Sequence, residues 1–402
     1  MGTVDPIYRK FAARFAVFFA LFEIVYLATS KLPYDAVHHI VGWDYLNTWM
    51  GAHAALFGRP QDFFDFEHYN AILRGVFPGE KYAHNWSYPP HILLLIWPFG
   101  LFPYLVSYAL WTVGGLAAFL WVGCEGKLDR GRLLFLAAAP VVLINVLTGQ
   151  NGLFTGAILV CALTNWDRRP ALAGILFGVL SVKPQLILLV PLVLILTRRW
   201  RCLGFAALTC AAMFAATTLL FGISIWDDYL AEVAPFQRHI LEYGGGITLA
   251  MMPTAFVNAR LMGSPLELAW ALQVVVSIVA IAVVAWTFWR PRDPLLSIAV
   301  LLIGSLLVTP YAFNYDMAAL TIVLTWLRER ADNETTDRRF TIALWALPVV
   351  MMLGFIPRIA GSVFVLLAFG ARLIQRLSAQ SSEVSSASAG ISAATVSMTL
   401  TS

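Results

Sequence analysis

From residue 92 to residue 371 the sequence is one apolar run after another, and few folds can accommodate that. The runs fall at roughly 92–123, 133–149, 152–166, 171–182, 185–197, 203–222, 266–289, 295–309, 313–327, 340–354 and 357–371. A helix needs about 20 apolar residues to cross the ~30 Å hydrocarbon core of a bilayer, and several runs meet or approach that length. None alternates polar and apolar as the strands of a membrane barrel do. Only 12% of the 402 residues are charged, while 59% are hydrophobic. A soluble domain carries about a quarter charged residues. The expectation is therefore an all-α, polytopic transmembrane bundle of about 11–13 spans. Several runs are under 18 residues, which points to tilted or broken helices that stop below the surface and leave a cavity.

The run from Phe11 to about Ser30 resembles the core of a signal peptide but is longer than the usual ~7–15 residues, and Glu23 interrupts it. It reads as an uncleaved first span, with Glu23 either a hydrogen-bonding partner inside the bundle or part of a site. One alternating topology gathers 19 of the 27 Lys and Arg residues on a single side, from Arg9, Lys10 and Arg14 through Lys127, Arg130 and Arg132 to Arg372 and Arg376. Basic loops mark the cytoplasmic side. The loops 31–91 and 223–264 then face outward, with the turns at Gln150-Asn151, Lys183-Pro184 and Asn314–Asp316. This layout requires 92–123 to cross only once, its first part being a surface or re-entrant piece broken by Pro98, Gly100 and Pro103. It also splits 171–197 into two short spans at Lys183-Pro184. Residues 1–377 form one membrane domain, and the Ser- and Ala-rich segment 378–402 reads as a disordered cytoplasmic tail. The four cysteines lie in or beside apolar segments without CxxC spacing, so neither a disulfide framework nor a metal site follows from them.

The 31–91 loop is the longest polar interval in the chain. Within it Leu46, Trp49, Met50, Ala54 and Phe57 recur at helical spacing after Asp44, and Gly58-Arg59-Pro60 ends the pattern. Asp44 reads either as the helix N-cap or as a general base at the membrane surface, taking a proton from an attacking hydroxyl. Flanking Trp43 and Tyr45 would exclude water and offer a face for a sugar. Lys183 lies between two apolar runs on the side where cations are not expected, which favours a functional role such as holding a phosphate over a snorkelling one. Gln150 and Asn151, in the polar turn Thr148–Gly152, offer amides for sugar hydroxyls. Asn314 and Asp316 occupy an equivalent turn. Tyr88, in Trp86-Ser87-Tyr88-Pro89-Pro90, closes the loop at the membrane. Arg74, His84 and His53 are further candidate contacts. No nucleotide-binding or HExxH motif is present, so a transferase of this kind would draw on a donor dissolved in the membrane.

In their order along the chain, Gly42-Trp43-Asp44-Tyr45, Trp49, Ala52, Leu56, Gly58, Tyr69, Tyr88-Pro89-Pro90, Pro98-Phe99-Gly100, Gly149–Gly152, Ala173-Gly174 and Lys183-Pro184 resemble glycosyltransferase family 87 over roughly residues 11–330. The family comprises polytopic bacterial enzymes of the C-type glycosyltransferase fold. The resemblance implies transfer of a hexose, typically mannose, from a polyprenyl-phosphate carrier to a glycan or glycolipid acceptor on the outer face of the inner membrane. Membrane lipid would be a partner and nucleic acid would not. It also implies that Asp44 is the base and Lys183 the contact to the carrier phosphate. Some C-type enzymes bind a divalent metal through paired acidic residues, but no such pair stands beside Asp44. Only Asp35, Asp65 and Glu67 remain as acidic partners, and the expected cofactor is none. The competing expectation is a transporter or flippase for lipid-linked glycans, which the large, asymmetric first loop disfavours. A structural partner in an envelope assembly is a third.

Overall fold

The computed structural model describes residues 6–127, 129–290, 292–330, 335–353 and 361–379. Among them the chain is helical almost throughout, its only β pairing being isolated bridges at Lys31–Tyr34 and Tyr34–Ile40. Five helices are long and apolar enough to cross a membrane: Lys10–Thr29, Tyr104–Gly123, Trp200–Phe221, Leu266–Trp289 and Ser362–Ala379. A pair, Arg130–Ala137 and Pro140–Thr148, is apolar enough to make a sixth if it crosses as one broken span, and is bent by 53° where Pro140 opens the second helix. The remaining apolar runs form helices of 10–17 residues, among them Gly152–Asn165, Pro170–Val182, Pro184–Leu196 and Pro294–Leu307. The expected 11–13 spans include these shorter runs.

Burial separates the two kinds of helix. Every residue from Leu295 to Leu307 is buried, and so are nearly all of those from Ala318 to Arg328. These two helices, apolar on all sides, are wrapped by protein and form the axis of the bundle. Trp200–Phe221 and Leu266–Trp289 instead turn Leu219, Leu220, Val275 and Ile278 outward, as helices facing lipid must. Lys10–Thr29 is the most detached. The helix that contains it, Pro6–Thr29, packs near its start, where Tyr8 and Ala12 are buried, and leaves Val17, Phe18, Leu21, Ile24 and Val25 exposed further along.

Within the stretch 92–123 only one helix is long and apolar enough to cross, as the layout of basic residues requires. Residues 90–101 make a short helical piece that lies against the Trp43–Phe57 helix, and only Tyr104–Gly123 runs the full length. The approach is close: a side chain at Gly100 would stand 2.6 Å from the backbone of Ala52. Trp49 Nε1 donates to the carbonyl of Phe102 at 2.9 Å, where the chain turns into Pro103. The split at Lys183-Pro184 is also present, between Pro170–Val182 and Pro184–Leu196.

Ion pairs tie the basic helix ends together. Arg132 pairs with Glu125 and Glu329, Arg199 with Asp167, and Arg330 with Asp293. Arg292 donates to the carbonyl of Leu377 at 3.3 Å. The turns at 149–152, 183–184 and 309–316 lie at the opposite helix ends. The 31–91 loop covers that end with two helices, Trp43–Phe57 and Phe66–Val76. The first begins and ends almost where the apolar spacing predicts. The 223–264 loop adds Ser224–Asp228, a π turn at Tyr229–Val233 and Ala234–Tyr243 before Gly244–Gly246 interrupts it. The expected tail lies, beyond Ala379, outside the described residues, as does the start of the run expected at 357–371.

Candidate active site

At this covered end is a cavity of about 990 Å³, walled by the first loop, the second loop and the turns between short helices. Its lining includes Trp43, Asp44, His84, Tyr88, Gln150 and Lys183, contributed by segments far apart in sequence.

Asp44 reaches the cavity because of how its helix starts. Gly42, not Asp44, is the N-cap, with φ 72°, and it supplies no side-chain cap. The N-cap reading of Asp44 is thereby corrected: the residue sits in the first helical turn, free to point at the cavity. Gly42 is held in its left-handed conformation by Tyr104, whose hydroxyl donates to the carbonyls of Val41 and Gly42 at 2.7 and 3.0 Å. Any side chain at position 42 would also collide with the ring of Tyr108. On the other side of the helix, Tyr45 is fully buried with its hydroxyl 2.5 Å from that of Ser107. Burial raises the Asp44 carboxyl above its ordinary value, while Gln150, His84 and Lys183 pull it back down. A carboxylate so placed is a better proton acceptor than one in water.

Lys183 is 4% exposed, at the break between two short helices. Its Nζ donates to Asp316 Oδ1 at 2.6 Å and stands 4.7 Å from the centre of the Tyr315 ring. Asp316 also accepts from the backbone of Phe313 at 3.4 Å, which fixes the carboxylate. The ammonium carries three donors and Asp316 uses one, so it still faces the cavity with hydrogen-bonding capacity. Asp316 holds Lys183 in place and does not itself line the cavity.

The turn Gly149-Gln150-Asn151-Gly152 is packed from both sides. Gly149 has φ 72° and its missing side chain would overlap that of Tyr45, while one at Gly152 would meet the carbonyl oxygen of Tyr315 at 2.1 Å. Gln150 therefore projects into the cavity, where Tyr88 donates to its Oε1 at 3.2 Å. Trp111 holds the turn from behind, donating to the carbonyl of Gly149 at 3.1 Å.

Other expected contacts lie elsewhere. Asn151 is buried at the start of the 152–165 helix, and Asn314 is buried while donating to the carbonyl of Pro348 at 2.8 Å. Arg74 is exposed in the last turn of Phe66–Val76. His53 packs on Trp49 and Phe57, away from the cavity. Of the acidic residues, Asp65 caps the 66–76 helix through His68, and Asp35 lines the cavity while accepting from the backbone of Val37 and His39.

Sequence reasoning also missed part of the wall. Gln237, on Ala234–Tyr243, accepts a hydrogen bond from the Tyr311 hydroxyl at 2.6 Å and donates to Ser87 at 3.1 Å. The three join the second loop, the 309–316 turn and the end of the first loop. His39 lines the rim beside His84. Nothing in the local sequence marks these residues, since each acquires its place only through contacts between distant segments.

The model of glycosyltransferase family 87 matches residues 86–310, more than half of the chain. The chain belongs to glycosyltransferase family 87. No curated protein and no solved structure matches it. The family 87 match takes in Tyr88, Gln150, Lys183 and Gln237, whereas Asp44 precedes it and Asp316 follows it. This family 87 chain is thus a glycosyltransferase, embedded in a membrane by several apolar helices, with a cavity of about 990 Å³ at the end away from its basic loops.

Proposed function

We propose that this chain transfers a hexose, mannose in the first instance, from a polyprenyl-phosphate carrier to a hydroxyl of a glycan or glycolipid acceptor. The observation that carries the reading is that Asp44 and Lys183, distant in sequence, line one cavity. Asp44 takes the proton of the acceptor hydroxyl as its oxygen attacks the anomeric carbon. The bond from that carbon to the phosphate oxygen breaks on the opposite face, so configuration inverts. The carrier phosphate leaves with the bonding electrons, and the Lys183 ammonium stabilises the charge that develops on it. Gln150 and Tyr88, already linked by a hydrogen bond, line the same cavity as base and cation. Trp43 offers an aromatic face to the sugar. The basic ends of the helices lie away from the cavity, which supports reading it on the outer face of a bacterial inner membrane.

The test is Asp44→Asn in full-length protein reconstituted with polyprenyl-phosphate-mannose. A general base contributes about 10²- to 10⁴-fold, so transfer should fall by at least a hundredfold while carrier binding persists. Transfer at near-normal rate would remove Asp44 from the chemistry. Sustained carrier movement across the bilayer without transfer by the unaltered protein would favour a flippase.

A further inference from the structure

Three side chains at the cavity rim converge on one point and have no part in the reaction above. The Glu80 carboxylate is wholly buried. Its Oε2 accepts from the backbone of Ile40 at 2.6 Å and its Oε1 from that of Tyr82 at 2.8 Å. His39 Nδ1 stands 3.8 Å from Oε2, and His84 Nε2 stands 3.9 Å from the same atom. The three atoms lie within 4.8 Å of one another.

Both imidazole nitrogens are buried and neither has a hydrogen-bond partner. At 3.8–3.9 Å they are too far from the carboxylate for hydrogen bonds. Two donors on one tetrahedral zinc ion, each at 2.0–2.1 Å, are about 3.4 Å apart. An inward movement of about half an ångström on each side would therefore close this set around an ion.

The ligands are also held in place. His84 is clamped through its backbone by Asn70, which accepts from its N–H at 2.9 Å and donates to its carbonyl at 2.8 Å. The His39 ring is stacked on Tyr82 at 4.4 Å, and its backbone N–H donates to Asp35 at 2.9 Å. Such outer contacts fix ligand orientation before an ion arrives.

We propose that His39, Glu80 and His84 form a divalent-cation site of the zinc class, open to the cavity. Two imidazoles and one carboxylate select zinc and its first-row neighbours over magnesium or calcium, which prefer all-oxygen shells. Three protein ligands leave a coordination position vacant, and His39 and His84 both line the cavity. An oxygen of a phosphate or sugar in the cavity would fill that position. Ion binding can be tested apart from the role given to Asp44, although His84 also acts on the Asp44 carboxyl.

Full-length protein in detergent, stripped with chelator and titrated with Zn²⁺, should retain one ion per chain after desalting. Titration with Co²⁺ should give the intense visible absorption of a four-coordinate ion. His39→Ala and Glu80→Gln should each weaken Zn²⁺ binding at least tenfold without changing the elution profile of the metal-free protein; Glu80→Gln, which keeps only one of the two oxygens that accept from Ile40 and Tyr82, should also lower its Tm. Zn²⁺ retention by the wild type no greater than by the His39→Ala/Glu80→Gln double variant would overturn the site. So would a Co²⁺ spectrum of only weak, six-coordinate bands, a result that needs no variant to fold.

Discussion

Asp44 accepts a proton only in its ionised form, and burial holds its carboxyl above the ordinary aspartate value. kcat/KM for transfer should therefore fall with decreasing pH through that raised value, at a higher pH than a solvated carboxylate would give. For stability the sign is opposite. The cost of desolvating the charge exists above the raised value and disappears when the group is protonated, so Asp44→Asn should not lower Tm at neutral pH. Lys183 behaves differently, because its charge is compensated. Lys183→Met strands Asp316 without its cation and should cost about 3–5 kcal/mol, whereas Lys183→Met/Asp316→Asn should recover most of that. Thermal unfolding measures the recovery, and carrier binding should stay impaired in both variants if Lys183 contacts the phosphate. Asp44 and Lys183 were legible in the sequence because each breaks a local pattern: an acid in an aromatic helix start, and a cation between apolar runs. The bond from Lys183 to Asp316 spans 133 positions and was not. Nor was the meeting of His39, Glu80 and His84, whose spacing matches no familiar ligand motif.

Among the elements, boundaries were legible wherever glycine or proline sets them. Gly58 ends the helix that carries Asp44, Pro103 starts the single crossing of 92–123, and Lys183-Pro184 splits 171–197. What the sequence could not convey is how closely elements approach. The 149–152 turn is an ordinary tight turn by composition, yet a Cβ at Gly152 would enter the backbone of the 314–317 turn. Gly152→Ala should cost about 1–3 kcal/mol through overpacking and should also depress transfer, because Gln150 and Lys183's partner segment shift together. Gly245→Ala is the matched control, since nothing lies within 4 Å of its missing side chain. It should leave both Tm and transfer unchanged. The second loop forms helices, but Gln237 and Tyr311 become cavity wall only by pairing with each other.

Across the whole molecule, the arginines and lysines read from the sequence as one basic side include Arg132, Arg199 and Arg330, which form ion pairs at helix ends. The physical reason it was readable is that charge is rare here and has few places to go. The direction of the molecule in the membrane can be measured. In right-side-out vesicles, using protein freed of its four native cysteines, Gly245→Cys should react with an impermeant maleimide. Arg168→Cys should react only after permeabilisation. The reverse pattern would move the cavity to the cytoplasmic face.

The cavity wall runs from Asp35 to Met352 in sequence, and this bears on what can be cut away. The segment recognisable as family 87, taken alone, would carry Gln150 and Lys183 but neither Asp44 nor the Asp316 that steadies the lysine. A fragment trimmed to that segment would keep the signature and lose the workplace.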